Sequence, residues 1–206
     1  MMRVLIACEE SGVVRDAFIK RGHNAVSCDL LHSRKGGPHY RTDVFEVISH
    51  GWDMMIAFPP CTYIANSGAK HLYKGMKKEN GVCPSRWQKM LEGADFVSRL
   101  LRANIDKICV ENPIMLGHAK RLRDIPQQDQ IIQPWQFGHG ETKQTCLWLK
   151  NLPKLQSTNI VDGREQRIWK MAPGPTRQRD RSETYQGIAD AMAEQWGGSN
   201  VRETTE

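Results

Sequence analysis

Trp52 to Gly68 reads WDMMIAFPPCTYIANSG. Met54 to Phe58 form a short run, apolar on both alternating faces and bounded by turn residues. That is the pattern of a strand buried on both sides of a parallel sheet. Pro59 and Pro60 stop the strand, since neither offers a backbone donor to continue a ladder. Cys61 follows, just past the carboxyl end of the strand, where open α/β sheets bind ligands. Polar or amphipathic Thr62, Tyr63, Asn66 and Ser67 suit a site lining. A free cysteine is most often a small buried hydrophobe, so the rest of the chain must decide what Cys61 does.

Working outward toward the N-terminus, Arg3–Cys8 reads as a strand. A helix follows from Ser11, as its cap, to about Arg21, with Val14, Ala17 and Phe18 at helical spacing. Gly22 ends it, and Asn24–Cys28 is a second strand followed by Asp29. This βαβ unit implies a parallel sheet with a crossover helix. Its first turn, CEESG, has a single glycine and two glutamates, a poor cradle for pyrophosphate and a better one for a ligand carrying positive charge or hydroxyls. Asp29 stands where a carboxylate can accept from ribose hydroxyls, or is an ordinary solvated or capping aspartate. Residues 31–40 read as a loop, and 41–50 as a short helix capped by Thr42 or Asp43; Asp43 fits a cap and a ligand contact equally.

Toward the C-terminus, 70–86 reads as a long polar loop, mobile and able to close over a substrate. Trp87–Arg102 is a helix, and Asp106–Val110 another buried strand, followed by Glu111-Asn112-Pro113. This places Glu111 on the rim that carries Cys61, as an acid or simply as a surface residue ending a strand. Residues 131–137, interrupted by Pro134, and Thr145–Leu149 form an antiparallel pair around the turn GHGETKQ. Residues 151–181 read as a reduced irregular insertion. Ser182–Trp196 is a final helix with Ser182 as its cap, and 198–206 a disordered tail, so 1–197 is expected to form one domain.

The 206 residues are 39% hydrophobic and 25% charged, enough for one sizeable core. No apolar run reaches the roughly 18 residues of a membrane span, and the N-terminus reads as a strand instead of a signal peptide. A cytoplasmic protein is expected. The six cysteines are dispersed without a CxxC pair, which argues against structural zinc and a disulfide framework. Cys8, Cys28 and Cys109 are read as core thiols. The formal net charge of +6 is compatible with a polyanionic partner. Lys70, Lys74, Lys77 and Lys78 form one basic cluster, and Arg164, Arg167, Lys170, Arg177, Arg179 and Arg181 another.

Pro59-Pro60-Cys61 and Glu111-Asn112-Pro113, each ending a strand and in this order, resemble the nucleophile and Glu-Asn motifs of the cytosine-5 DNA methyltransferase family. They resemble most its compact members from phage and prophage genomes. Gly187 to Met192 weakly resembles the family's last motif. The resemblance spans Arg3 to Trp196. It implies a doubly wound, mostly parallel α/β sheet of the S-adenosylmethionine-dependent methyltransferase (Rossmann-like) type, with an antiparallel pair on the C-terminal side. It implies Cys61 as the thiol that adds to cytosine, Glu111 as the acid at ring nitrogen 3, Asn112 as an orienting group and Lys143 as the basic residue holding the base. S-adenosyl-L-methionine would be bound by Cys8, Glu9, Glu10, Ser11, Asp29, Asp43 and Pro59. The partner would be DNA with its target cytosine extruded, in the cytoplasm of a bacterial host. The first motif, ACEESG, and the basic motif, ETKQT, depart from the family pattern, and no large target-recognition domain is present. Low specificity, a short site, or help from a second copy or a helper subunit each fit that absence. The same thiol chemistry on another pyrimidine, a free nucleotide or another one-carbon donor, and a degenerate nucleic-acid-binding relative, are the alternatives.

Overall fold

The computed structural model describes residues 1–172, 174 and 177–198. Its centre is a seven-stranded sheet in the order β3-β2-β1-β4-β5-β7-β6. The strands are β1 Arg3–Ala7, β2 Asn24–Asp29, β3 His39–Arg41, β4 Met54–Ala57, β5 Lys107–Asn112, β6 Gln130–Ile132 and β7 Thr145–Lys150. The first five run parallel, while β7 runs antiparallel to both β5 and β6. This is the α/β class expected, including the antiparallel pair.

Strand alternation divides the core into two layers. Leu5, Ala7, Met55, Ala57, Ile108 and Val110 face one side, with Met90, Ala94 and Val97 of helix α3, Pro84–Leu101. Val4, Ile6, Met54, Ile56 and Cys109 face the other, with Val14 and Phe18 of α1, Val13–Lys20, and Ile188, Met192 and Trp196 of α7, Gln186–Gly197. Every residue of β4 is fully buried, which is why its sequence shows no polar alternation. Between these lie α2 Val44–Val47, α4 Gly117–Leu122, α5 Arg167–Lys170 and α6 Arg177–Ser182. Among the described residues no helix is long and apolar enough to cross a membrane.

Several local expectations are corrected. Residues 39–41 form an edge strand on β2, not a loop; three residues with little burial carry no alternation to read. Helix α3 starts three residues before Trp87, with Pro84 in its first turn, where a missing N–H costs nothing. The 70–86 stretch is not featureless: 3₁₀ turns at Asn66–Leu72, Lys74–Met76 and Lys78–Asn80 are anchored by fully buried Ile64 and Leu72. Strand β6 stops at Ile132, and Pro134 opens a 3₁₀ turn. Ser182 does not cap the last helix. It ends α6, and α7 begins at Gln186 after a break. Helices α5 and α6 interrupt the supposedly irregular insertion. Helix α4 lies where no element was expected. Of the tail 198–206, all but Gly198 lies outside the described residues.

Candidate active site

The chain winds from β1 outward through β2 to β3, then crosses to β4 and continues the other way. The reversal between β1 and β4 is the switch point at which open α/β sheets leave a ligand crevice. Its walls are the turn after β1, Cys8–Gly12, and the turn after β4, Phe58–Cys61. Because β5 is parallel to β4, Glu111 and Asn112 end on the same rim. Because β7 is antiparallel, it begins there, and Lys143 and Thr145 join them. Antiparallel β7 thus brings to the site a segment that follows Cys61 by some eighty residues of sequence.

Alternation then sorts the two rim residues of β5. Glu111 lies on the face of Cys109, under α7; Asn112 lies on the opposite face with Val110. Asn112 is fully buried, and its Nδ2 donates to the carbonyl of Pro59 at 3.2 Å. That bond ties the end of β5 to the double-proline turn that presents Cys61. The Cys61 carbonyl accepts from Ile64 at 3.1 Å and Ala65 at 2.9 Å, so the thiol heads a tight turn. Cys61 itself is half-buried. Burial, then the nearby charge of Glu111, push its thiol up, while Lys143 and Arg181 oppose them. Burial also holds the Glu111 carboxyl above the usual range, against Lys143 and a hydrogen bond with Thr145. Thiol, acid and ammonium therefore sense one another's charge across one small space.

Glu111, Lys143 and Thr145 line a cavity of about 10 Å³ closed by Phe58, Tyr185 and Met192. It has room for about one water molecule, well short of a pyrimidine ring. The closing segment, residues 183–185, is strapped down. Lys143 Nζ donates to the Glu183 carbonyl at 3.3 Å. The Tyr185 hydroxyl donates to Glu141 at 2.7 Å, and Arg167 pairs with the same carboxylate at 2.9 Å. Arg34 holds both Glu183 at 2.9 Å and Glu10 at 3.4 Å. At Gly187 any Cβ would run into the carbonyl of Phe137, so only glycine lets the chain turn into α7 this close to the rim.

On the other wall, Cys8 lies past the end of β1 with φ 58° and is half-buried, not a core thiol as expected: left-handed backbone turns it out of the sheet. Burial, Asp29, Cys28 and Asp43 all push its thiol up, which marks an electronegative corner. Glu9 is buried, and its carboxylate accepts from Val14 at 2.8 Å and Arg15 at 3.4 Å. It therefore caps α1, a task expected of Ser11, whose Oγ donates to Glu9 and accepts from Val13. Asp29 Oδ1 accepts from Leu31 at 2.9 Å, and Asp43 Oδ1 caps α2 through Phe45 at 2.9 Å. Pro59 lies across the crevice, held by Asn112. Arg15 was not anticipated. Fully buried, it donates to Ser27 and Ser33 and props the loop beyond Asp29, while Asp16 balances its charge. Its position on α1 offered no signal, since a helical arginine ordinarily faces water. Arg34, Glu141 and Tyr185 were likewise missed, because their partners are distant in sequence.

No family model matches the chain, and no curated protein matches it. Solved structures do resemble it. One is described as a DNA modification methyltransferase encoded within an E. coli prophage: 13% identity, 72% of this chain against 46% of that one, TM-score 0.45. Another is the Entamoeba histolytica methyltransferase EhMeth, with 14% identity, 78% against 58%, and TM-score 0.49. A third is the S. pombe Dnmt2 methyltransferase, with 13% identity, 82% against 53%, and TM-score 0.43. These neighbours are methyltransferases. The chain spans about half the length of each.

Among the described residues no group of three His, Cys, Asp or Glu side chains is placed to hold a metal ion. The donor set at the crevice suits S-adenosylmethionine better than a pyrophosphate. Asp29 and Asp43 make this corner acidic, which favours a sulfonium cation, and a carboxylate at Asp29 suits hydroxyls.

Proposed function

We propose that the protein methylates carbon 5 of cytosine in DNA through a covalent adduct at Cys61. The observation that carries this reading is geometric: Glu111 and Lys143 line one cavity on the rim where β4 ends and Cys61 follows, beside an acidic crevice. Cytosine carbon 5 is too electron-poor to accept a methyl cation directly, and a thiolate adding to carbon 6 removes that obstacle. As the Cys61 sulfur forms its bond to carbon 6, the ring's electron pair moves toward nitrogen 3, which takes a proton from Glu111. A carboxyl whose burial favours its neutral form is suited to that donation. Lys143 offsets the charge of Glu111 and favours the thiolate. Asn112 positions the Cys61 turn through Pro59. Bound S-adenosylmethionine would supply the electrophilic methyl group, with Cys8, Glu9, Glu10, Ser11, Asp29, Asp43 and Pro59 forming its surroundings. Loss of the carbon 5 proton to a base then lets Cys61 leave, restoring the ring double bond and returning the nitrogen 3 proton to Glu111.

The reading extends to one cooperative domain acting in the cytoplasm of a bacterial host. A second copy or a helper subunit would supply target recognition. The test is transfer of label from S-adenosylmethionine to DNA, paired with trapping on a 5-fluorocytosine oligonucleotide. A covalent complex that Cys61→Ser abolishes is expected. Label on free nucleotide and none on DNA, or DNA binding without any adduct, would overturn it.

A further inference from the structure

A cavity of about 420 Å³ is a groove beside the nucleophile and unused by the chemistry above. Leu72 and Leu116 form its floor, and Asn66, Tyr73, His118 and Arg121 its polar edges. It lies where the loops after β4 and β5 are sewn together. Ala65 and Met115 form a bridge, Asn66 donates its N–H to Ile114 at 2.7 Å, and Leu116 donates to Ile64 at 2.8 Å. One end of the groove is therefore five residues from Cys61 and the other five from Glu111.

Charge is concentrated around it. Residues 61–91 carry six Lys or Arg against one carboxylate, and residues 113–123 three against none. Those segments hold a net +8 of a chain whose total is +6, so the remainder is slightly acidic. Among the described residues, none of Lys70, Lys74, Lys77, Lys78 or Arg121 is paired with a carboxylate. Unpaired cations beside a cavity suit a polyanion, and each phosphate they neutralise releases counterions. The rings supply the other half of such a site. His118 packs on Trp87 at 5.1 Å, which fixes its plane, and Tyr73 also lines the groove. Aromatic faces beside cations hold unstacked bases with little regard to sequence. The Asn66 side chain makes no hydrogen bond among the described residues, and an amide can read a base edge.

We infer that this groove binds a nucleotide flanking the target cytosine on the DNA strand. Its phosphates lie along Lys70, Lys74 and Arg121, and its base lies between Tyr73 and His118. This subsite rests on the DNA-methylating reading and adds a source of sequence context. The volume falls in the range of about 300–1,000 Å³ that holds small organic ligands. Asn66 is the specificity-determining residue.

The test uses the full chain and a short fluorescent DNA, with anisotropy read against salt. Arg121→Gln, and Lys70→Gln with Lys74→Gln, should weaken binding and lower the salt slope by about 1 for each phosphate no longer neutralised. Arg21→Gln, on the far side of the sheet, should change neither. Asn66→Ala should keep the slope and alter the context of methylated cytosines seen by bisulfite sequencing. In the unmodified protein, DNA carrying 5-iododeoxyuridine beside the cytosine should photocrosslink within 66–73 or 117–121, a readout independent of whether any variant folds. Methylation that persists with crosslinks only elsewhere, or variants with unchanged affinity and slope, overturns the groove and leaves the methyltransferase reading standing. Crosslinks in the groove without methylation of any DNA would sink that reading while supporting nucleic-acid binding here.

Discussion

At the scale of single residues, the site turns on two groups whose charges oppose each other. Glu111 raises the Cys61 thiol and Lys143 lowers it. Glu111→Gln should therefore move the pH midpoint of Cys61 alkylation down, and Lys143→Met should move it up. The rate of iodoacetamide modification measures both. The background should be Cys83→Ser, because hydrogen bonding to Ser85 lowers the Cys83 thiol and would make it compete; Cys28 and Cys146 are pushed up to about 11 and should stay silent near neutral pH. Removing the acid should cost methyl transfer about 10²–10⁴-fold. The same substitution carries a stability signature. The folded-state value of Glu111 is raised, so wild-type stability falls as pH rises from the unfolded value through the folded one. Glu111→Gln escapes that loss. Its melting temperature relative to wild type should rise with pH across that window, and a constant difference would show that burial does not raise the carboxyl.

At the scale of elements, the strap between α6 and the start of α7 decides access. A cavity of about 10 Å³ excludes a base until Thr184 and Tyr185 move. Tyr185→Phe removes one hydrogen bond to Glu141, worth about 1 kcal/mol, or roughly fivefold in the opening equilibrium. Faster hydrogen exchange over 179–186 is the expected result. Unchanged exchange would mean that Arg167 and Lys143 hold the strap without it. Asp43 presents a cleaner separation of roles. Asp43→Asn keeps an oxygen for the Phe45 amide and should keep stability while weakening S-adenosylmethionine binding by calorimetry. Asp43→Ala should also lose about 1 kcal/mol of stability with the cap. Wild-type affinity in the Asn variant would reduce Asp43 to a helix cap.

At the scale of the whole molecule, both core layers press on one sheet. Trp148 of β7 is buried in one layer and Trp196 of α7 in the other. Neither layer can lose its packing without exposing the back of β1 and β4, so unfolding should be a single event. Tryptophan fluorescence and far-ultraviolet circular dichroism should give coincident denaturant transitions; separated midpoints would divide the chain into independent units. The charge distribution belongs to this scale too, since the basic excess belongs to the two segments, 61–91 and 113–123, that meet beside the groove.

The strands β1, β2, β4 and β5, the double-proline turn after β4 and the antiparallel pair near the C-terminus were legible in the amino-acid order alone. Each is a local signal: an apolar run, a residue without a donor, a glycine at a helix end. Cys61 and Glu111 could be placed on one rim because parallel strands end on the same side. What the tertiary structure alone decided concerns partners far apart along the chain. Glu9 caps a helix assigned to Ser11, Arg15 is buried under a loop, and Arg34 ties Glu10 to Glu183. Tyr185 closes the cavity over Glu111. Local sequence sets which backbone shapes are cheap. Which polar side chain meets which carboxylate depends on packing that folds distant segments together, and no spacing along the chain encodes it.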